Sequence, residues 1–236
     1  MALAGPILLL YSAWKRWTKN SAFWKTQRTF RPRALAIRRQ PAVQQGTATS
    51  PSLPSYRTPA QQSFFTYRSD GTLANTAIAG GKRTRLSPQG YWYSGPVGVF
   101  GEYVISKQEV TRGTTAAELE NKAWQIAASW MLSGHKLTYR GVSLSKPFDP
   151  KTGSWGALEL KARYSKLEVD KDAFPIFADP ARSAQAAKAW AVGINWYWSK
   201  NVKFSVDYEQ TDFTGGAATG DRTQEKIIFS RLQLSY

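Results

Sequence analysis

The feature that most constrains this chain is a two-residue alternation that recurs through its second half and runs to the C-terminus. Counting back by twos from Tyr236 gives Leu234, Leu232, Ser230 and Ile228, a mostly apolar row. The other row reads Ser235, Gln233, Arg231 and Phe229, polar at the end and apolar further in. A period of two describes a strand with two different faces. An aromatic final residue on the apolar row is what the closing strand of an outer-membrane barrel carries, its ring in the interfacial girdle. An edge strand of a soluble sandwich would read the same way, so these residues alone leave both open.

The segments before it narrow the choice. Residues 153–169 set Leu158, Leu160, Ala162 and Tyr164 against Glu159, Lys161, Arg163 and Ser165. Residues 188–198 set Trp190, Val192, Ile194, Trp196 and Trp198 against Ala191, Gly193 and Asn195. Residues 202–213 set Val202, Phe204, Val206 and Tyr208 against Lys203, Ser205, Asp207 and Glu209. So many rings would crowd the core of a sandwich. In a membrane barrel the apolar rows meet lipid and the charged rows meet water. Segments of about ten residues also suit a tilted crossing of the hydrocarbon.

Residues 118–132 fit two periods. Leu119, Ala123, Ile126 and Trp130 lie at helical spacing, while Trp124, Ile126, Ala128, Trp130 and Leu132 alternate strictly. The two tryptophans sit on the strand row, so a strand is expected. Residues 63–68, 82–94 and 97–110 complete a set of eight, with Pro88 and Gly90 marking a bulge or break in the second of these. The connections at 95–96, 133–152 and 199–201 then fall on one side, and those at 69–81, 111–117, 170–187 and 214–223 on the other. Tight turns inside and long loops outside are the barrel asymmetry, and only 133–152 departs from it. The fold class expected is all-β, a transmembrane antiparallel β-barrel of about eight strands.

Composition removes most chemistry. There is no cysteine and one histidine, His135, so nucleophile–base pairs and transition-metal sites are nearly excluded. No Gly-rich phosphate loop is present. Asp149 beside Pro150, and Asp170 with Asp172, read as turn and loop solvation. We therefore expect no enzyme, no catalytic residue, no metal and no cofactor. No run of 18 apolar residues offers a transmembrane helix.

The net charge of +16 is unevenly spread: residues 1–55 hold nine Lys or Arg and no acid. Within residues 1–52 a short apolar run, Ala4 to Leu10, precedes Trp14-Lys15-Arg16-Trp17, the reverse of the order in a secretory signal. Such a stretch could lie on an anionic membrane, grip nucleic acid, or be a disordered extension; we take the third. The chain thus divides into 1–52, an extension, and 53–236, the barrel segment.

Several stretches carry a resemblance. Leu53-Pro54-Ser55-Tyr56-Arg57-Thr58-Pro59, Gly95-Pro96-Val97-Gly98-Val99-Phe100-Gly101-Glu102-Tyr103, Leu119-Glu120-Asn121-Lys122-Ala123-Trp124-Gln125, Pro147-Phe148-Asp149-Pro150 and residues 195–236 look like the C-terminal half of the phosphate-selective porin O/P family. The resemblance implies a sixteen-stranded, homotrimeric channel in the bacterial outer membrane, in contact with its lipid. It also implies passage of inorganic anions, phosphate and polyphosphate among them, and no nucleic-acid partner. In that family the inward-folded loop and much of the basic ladder lie in the half that this chain does not match.

An anion pathway needs inward cations that nearby acids do not cancel. By parity the candidates are Lys161, Arg163, Lys203 and Arg231, with Glu159, Asp207 and Glu209 in the same rows. The plainer reading is a set of wall charges pairing across strands. Small residues at Ala127, Ser129, Ala191 and Gly193 leave room for water. Two other functions compete: nucleic-acid binding through the basic arm, and a non-conducting eight-stranded barrel whose interior is filled by side chains.

Overall fold

The structure is a computed structural model, and it describes residues 34–138, 141–142 and 144–235. Its strands in chain order are β1 (Ala34–Gln45), β2 (Tyr56–Arg57), β3 (Ser63–Phe65), β4 (Ile78–Ser94), β5 (Val97–Arg112), β6 (Thr115–Met131), β7 (Leu137–Thr138), β8 (Gly141–Val142), β9 (Phe148–Asp149), β10 (Ser154–Trp155), β11 (Ala157–Glu168), β12 (Ala184–Tyr197), β13 (Val202–Gly215) and β14 (Glu225–Leu234). Eight of them form one antiparallel sheet in the order β1-β4-β5-β6-β11-β12-β13-β14. Among the described residues β1 and β14 are unpaired on their outer edges, so the wall is a curved sheet and not a closed ring.

Register explains how the alternation becomes two surfaces. Trp130 opposes Leu160, which opposes Ile194, then Val206, then Ser230. The next rows run Ala128, Ala162, Val192, Tyr208, Ile228 and Ile126, Tyr164, Trp190, Gln210, Lys226. Because every pairing joins residues of the same parity, the apolar rows fuse into one continuous outer face. That face is open: Trp130 is 52% exposed, Ile194 44% and Leu232 61%. Side chains of this kind left uncovered over five strands mark a surface built to be covered by something apolar.

The strand count agrees with expectation, but its membership does not. Of residues 63–68, expected in the wall, Ser63–Phe65 form β3, which pairs only with β2 in a separate hairpin, and Tyr67 makes an isolated bridge to Ala178. The wall strand in its place is β1, from the stretch read as an extension. The other expectations for residues 1–33, and the interfacial role of Tyr236, lie outside the described residues. The bulge expected near Pro88 and Gly90 sits instead between Ala79 and Arg83, where the β4–β5 register shifts. The carboxylate of Glu109 accepts from the backbone N–H of Lys82 at 2.9 Å there, pairing a donor that the bulge frees.

Residues 46–77 fold back onto the inner face. Tyr56, Phe64 and Phe65 are fully buried with Val104, Val110, Leu119, Leu167, Phe177 and Phe213 in one apolar cluster near the long-loop end of the strands. Phe65 stacks on Tyr56 at 5.4 Å and meets Tyr67 edge-on at 4.9 Å. A second cluster, Met131, Leu137, Leu144 and Ala157, lies at the opposite end, where the β7–β8 hairpin turns inward while the β9–β10 hairpin packs Phe148 on Trp196 and Trp198 of the outer face. The inner face therefore carries an apolar collar at each end and a polar zone between.

Candidate functional site

The polar zone is built row by row on β11, β12 and β13. Lys161 opposes Gly193, which opposes Asp207; Arg163 opposes Ala191, which opposes Glu209. The long side chains span the small central residue, so Lys161 Nζ reaches Asp207 Oδ2 at 2.9 Å and Arg163 Nη2 reaches Glu209 Oε2 at 2.6 Å. The room that Ala191 and Gly193 leave is thus used by ion pairs. At Gly193 the fit is absolute: a Cβ would come within 2.0 Å of Asp207 Oδ1 and 2.7 Å of the Val206 carbonyl oxygen.

One row further on, Glu159, Asn195 and Ser205 form a hydrogen-bonded chain. Asn195 Nδ2 and the Tyr197 hydroxyl each donate to Glu159 Oε2 at 2.7 Å, and Ser205 Oγ donates to Asn195 Oδ1 at 2.7 Å. Glu159 is fully buried. The donors and the neighbouring cations compensate a carboxylate that would otherwise be very costly to bury.

All four residues predicted for the pathway, Lys161, Arg163, Lys203 and Arg231, line one cavity of about 220 Å³ on the inner face. Two of them form direct ion pairs with acids and two do not. Lys203 lies over the Tyr197 ring at 5.5 Å with the Glu159 and Asp207 carboxylates near enough to act on it, and neither it nor Arg231 forms a direct ion pair among the described residues. Arg163 and Pro59 also border a smaller cavity toward the inward segment, with Arg57 on its rim. Lys203 also borders a cavity of about 200 Å³ toward β7 and β8, with Lys200 on its rim. The three cavities therefore meet at cationic side chains along the strand direction.

The remaining minor candidates behave as turn residues. Asp149 accepts from the backbone N–H of Lys151 at 2.9 Å, and Asp170 caps the short 3₁₀ turn Lys171–Ala173. His135 sits between Ser133 and Ser145. Sequence reasoning missed Arg83 and Arg85 on β4 and Arg38 on β1, which share the inward parity. Arg83 Nη1 donates to Gln44 Oε1 at 2.9 Å, and Arg85 keeps two buried N–H groups without a partner among the described residues. Their signal was the spacing Arg83-Thr84-Arg85, which a period-two reading of β4 catches once the break at Pro88 is abandoned.

A family model described as Phosphate-selective porin O and P matches residues 36–236. The chain belongs to that family. Among curated proteins it is similar to Porin O of Pseudomonas aeruginosa, strain PAO1, at 28% identity over 127 residues. That match covers 51% of this chain and 28% of Porin O, so the chain spans well under two thirds of the relative it matches. The family match begins inside β1, in agreement with that strand's place in the wall.

Proposed function

We propose that this chain forms part of the wall and inner lining of an outer-membrane channel that passes anions of the phosphate class. The observation that carries the reading is the position of Lys203 and Arg231. Both line the inner cavity without a direct ion pair among the described residues, beside two cations that have one. Unpaired inward cations between apolar collars lower the barrier for an anion and raise it for a cation. The paired Lys161 and Arg163 hold the wall in shape, while the unpaired two supply the field. Family membership supports phosphate as the substrate class, and the name Porin O supports a pore.

The test is single-channel recording of the protein reconstituted in a planar bilayer under a potassium chloride gradient. The reversal potential has the sign of anion preference, and added phosphate reduces chloride current. In Lys203→Gln with Arg231→Gln the reversal potential moves toward zero and phosphate blocks at several-fold higher concentration. Cation preference in the unmodified protein, or an unchanged reversal potential in the double variant, would overturn the reading.

A further inference from the structure

We propose that Glu159 is the release residue of the anion pathway: its carboxylate competes with a passing phosphate for the Lys203 ammonium, and so frees the anion to leave the central cavity. The inference deepens the proposed function and rests on it. On the inner face of β11, β12 and β13, Asp207 holds Lys161 and Glu209 holds Arg163 in direct ion pairs. One acid and one cation of that face remain without a direct ion pair among the described residues, Glu159 and Lys203. Both border the cavity of about 200 Å³ toward β7 and β8. Lys203 also borders the central cavity of about 220 Å³, beside Arg231, and Glu159 does not.

Tyr197 links the two. Its hydroxyl donates to Glu159 Oε2 at 2.7 Å, and its ring lies under Lys203 Nζ, 5.5 Å from the centroid. Glu159 Oε2 takes a second donor from Asn195, whereas Oε1 is buried with no donor among the described residues. A buried carboxylate oxygen left without a donor is costly, and an ammonium that reaches it forms a charge-assisted hydrogen bond. The Glu159 charge acts on the Lys203 ammonium across the ring. Lysine carries that ammonium on a flexible four-carbon stem, so Lys203 has two stations, one in each cavity.

Two stations solve a problem that any selective pathway meets. Binding must be strong enough for the ion to enter and weak enough for it to leave. A phosphate in the central cavity gathers Lys203 and Arg231 together. When Lys203 turns toward Glu159 it withdraws its hydrogen bonds from the anion, which then passes to the next cavity, where Lys200 stands on the rim. A purely structural Glu159 would instead brace β11 to β13 through Asn195 and Ser205 and leave Lys203 unaffected.

The test is single-channel recording of the full chain in planar bilayers, reading the inorganic phosphate concentration that halves the chloride current and the dwell time of each phosphate block. Glu159→Gln keeps an acceptor oxygen for Asn195 and Tyr197 and removes the charge. It lowers the half-blocking concentration about fivefold and lengthens the dwell by a similar factor. In a Lys203→Gln background the same substitution changes neither. Tyr197→Phe keeps a ring under Lys203 but takes one donor from Glu159, which then competes harder, so the dwell shortens. Opposite directions in the two variants separate competition from a loosened wall, which would move both alike. An unchanged dwell in Glu159→Gln, or an equal effect with and without Lys203, overturns the inference. If Glu159→Gln does not insert, a dwell in Tyr197→Phe that is unchanged or longer overturns it instead, and a shorter one supports it. Absence of phosphate block in the unmodified protein would reject the proposed function itself, and this inference with it, a separate outcome.

Discussion

Gly193 shows how one residue organises the polar zone. The Lys161–Asp207 pair passes directly over it, and the Val206 carbonyl leaves no space for a methyl group. Gly193→Ala must move the backbone or break the pair, and the cost expected for such overpacking is about 1–3 kcal/mol. Thermal unfolding followed by the gel mobility of heated samples would read it as a lower midpoint. The Arg163–Glu209 pair carries the larger risk, since the side chains are 10% and 5% exposed. Arg163→Met leaves a buried carboxylate unpaired, at about 3–5 kcal/mol, whereas Arg163→Met with Glu209→Leu recovers most of that loss. A denaturant titration of the single and double variants should show this reversal. A double variant as unstable as the single would remove the pairing argument.

At the scale of elements, the inward segment is held by polar ties as well as rings. Asn121 donates to the Tyr56 hydroxyl at 2.8 Å, the Thr58 hydroxyl donates to Glu225, and Arg222 donates to the Ser63 carbonyl. Ser183 and Thr66 exchange two hydrogen bonds. Burial pushes the Tyr67 phenol up to about 12 and raises Tyr56 further. Each is held neutral in the folded state, while the unfolded chain loses the proton from about pH 10. Their contribution is complete below that pH and declines as pH rises above it. Alkaline titration should therefore loosen the segment, with protease cleavage within residues 46–77 rising above pH 10. Tyr56→Phe should flatten part of that rise, and a pH-independent cleavage rate would contradict the argument.

The same scale shows what the sequence made legible. Strands β5, β6, β11, β12, β13 and β14 were readable because each presents one wet and one greasy face. Strand β1 was not, because Arg38 and Arg39 are adjacent and Pro41 follows, which breaks the alternation. Its place is set by register with β4 and not by its own pattern. Residues 63–65 misled in the other direction. Phe64 and Phe65 are consecutive and both buried, as in a strand covered on both faces. The four residues proposed for the pathway were chosen by parity alone, and they line one cavity. Which of them are paired was invisible, because the acids come from β13, two strands away across a glycine and an alanine.

For the molecule as a whole, the inward segment decides between architectures. An eight-stranded ring has an interior just wide enough for its own side chains. This sheet already holds a backbone hairpin and a cluster of aromatic rings against its inner face. The closed eight-stranded barrel therefore does not fit, and the outer edges of β1 and β14, unpaired among the described residues, need backbone partners for the wall to stand in lipid. The claim on which all of this depends is that the outer rows touch hydrocarbon and the inner rows do not. The chain has no cysteine, so single cysteines can be placed along β12 without background. Spin labels at 189, 190, 191, 192, 194 and 195, in the vesicle-embedded protein, report collisions with oxygen in lipid and with a nickel chelate in water. Positions 190, 192 and 194 should favour oxygen and positions 189, 191 and 195 should not, in strict alternation. Equal access of the chelate to both sets, or labels at 192 and 194 reached by neither reagent, would contradict the account.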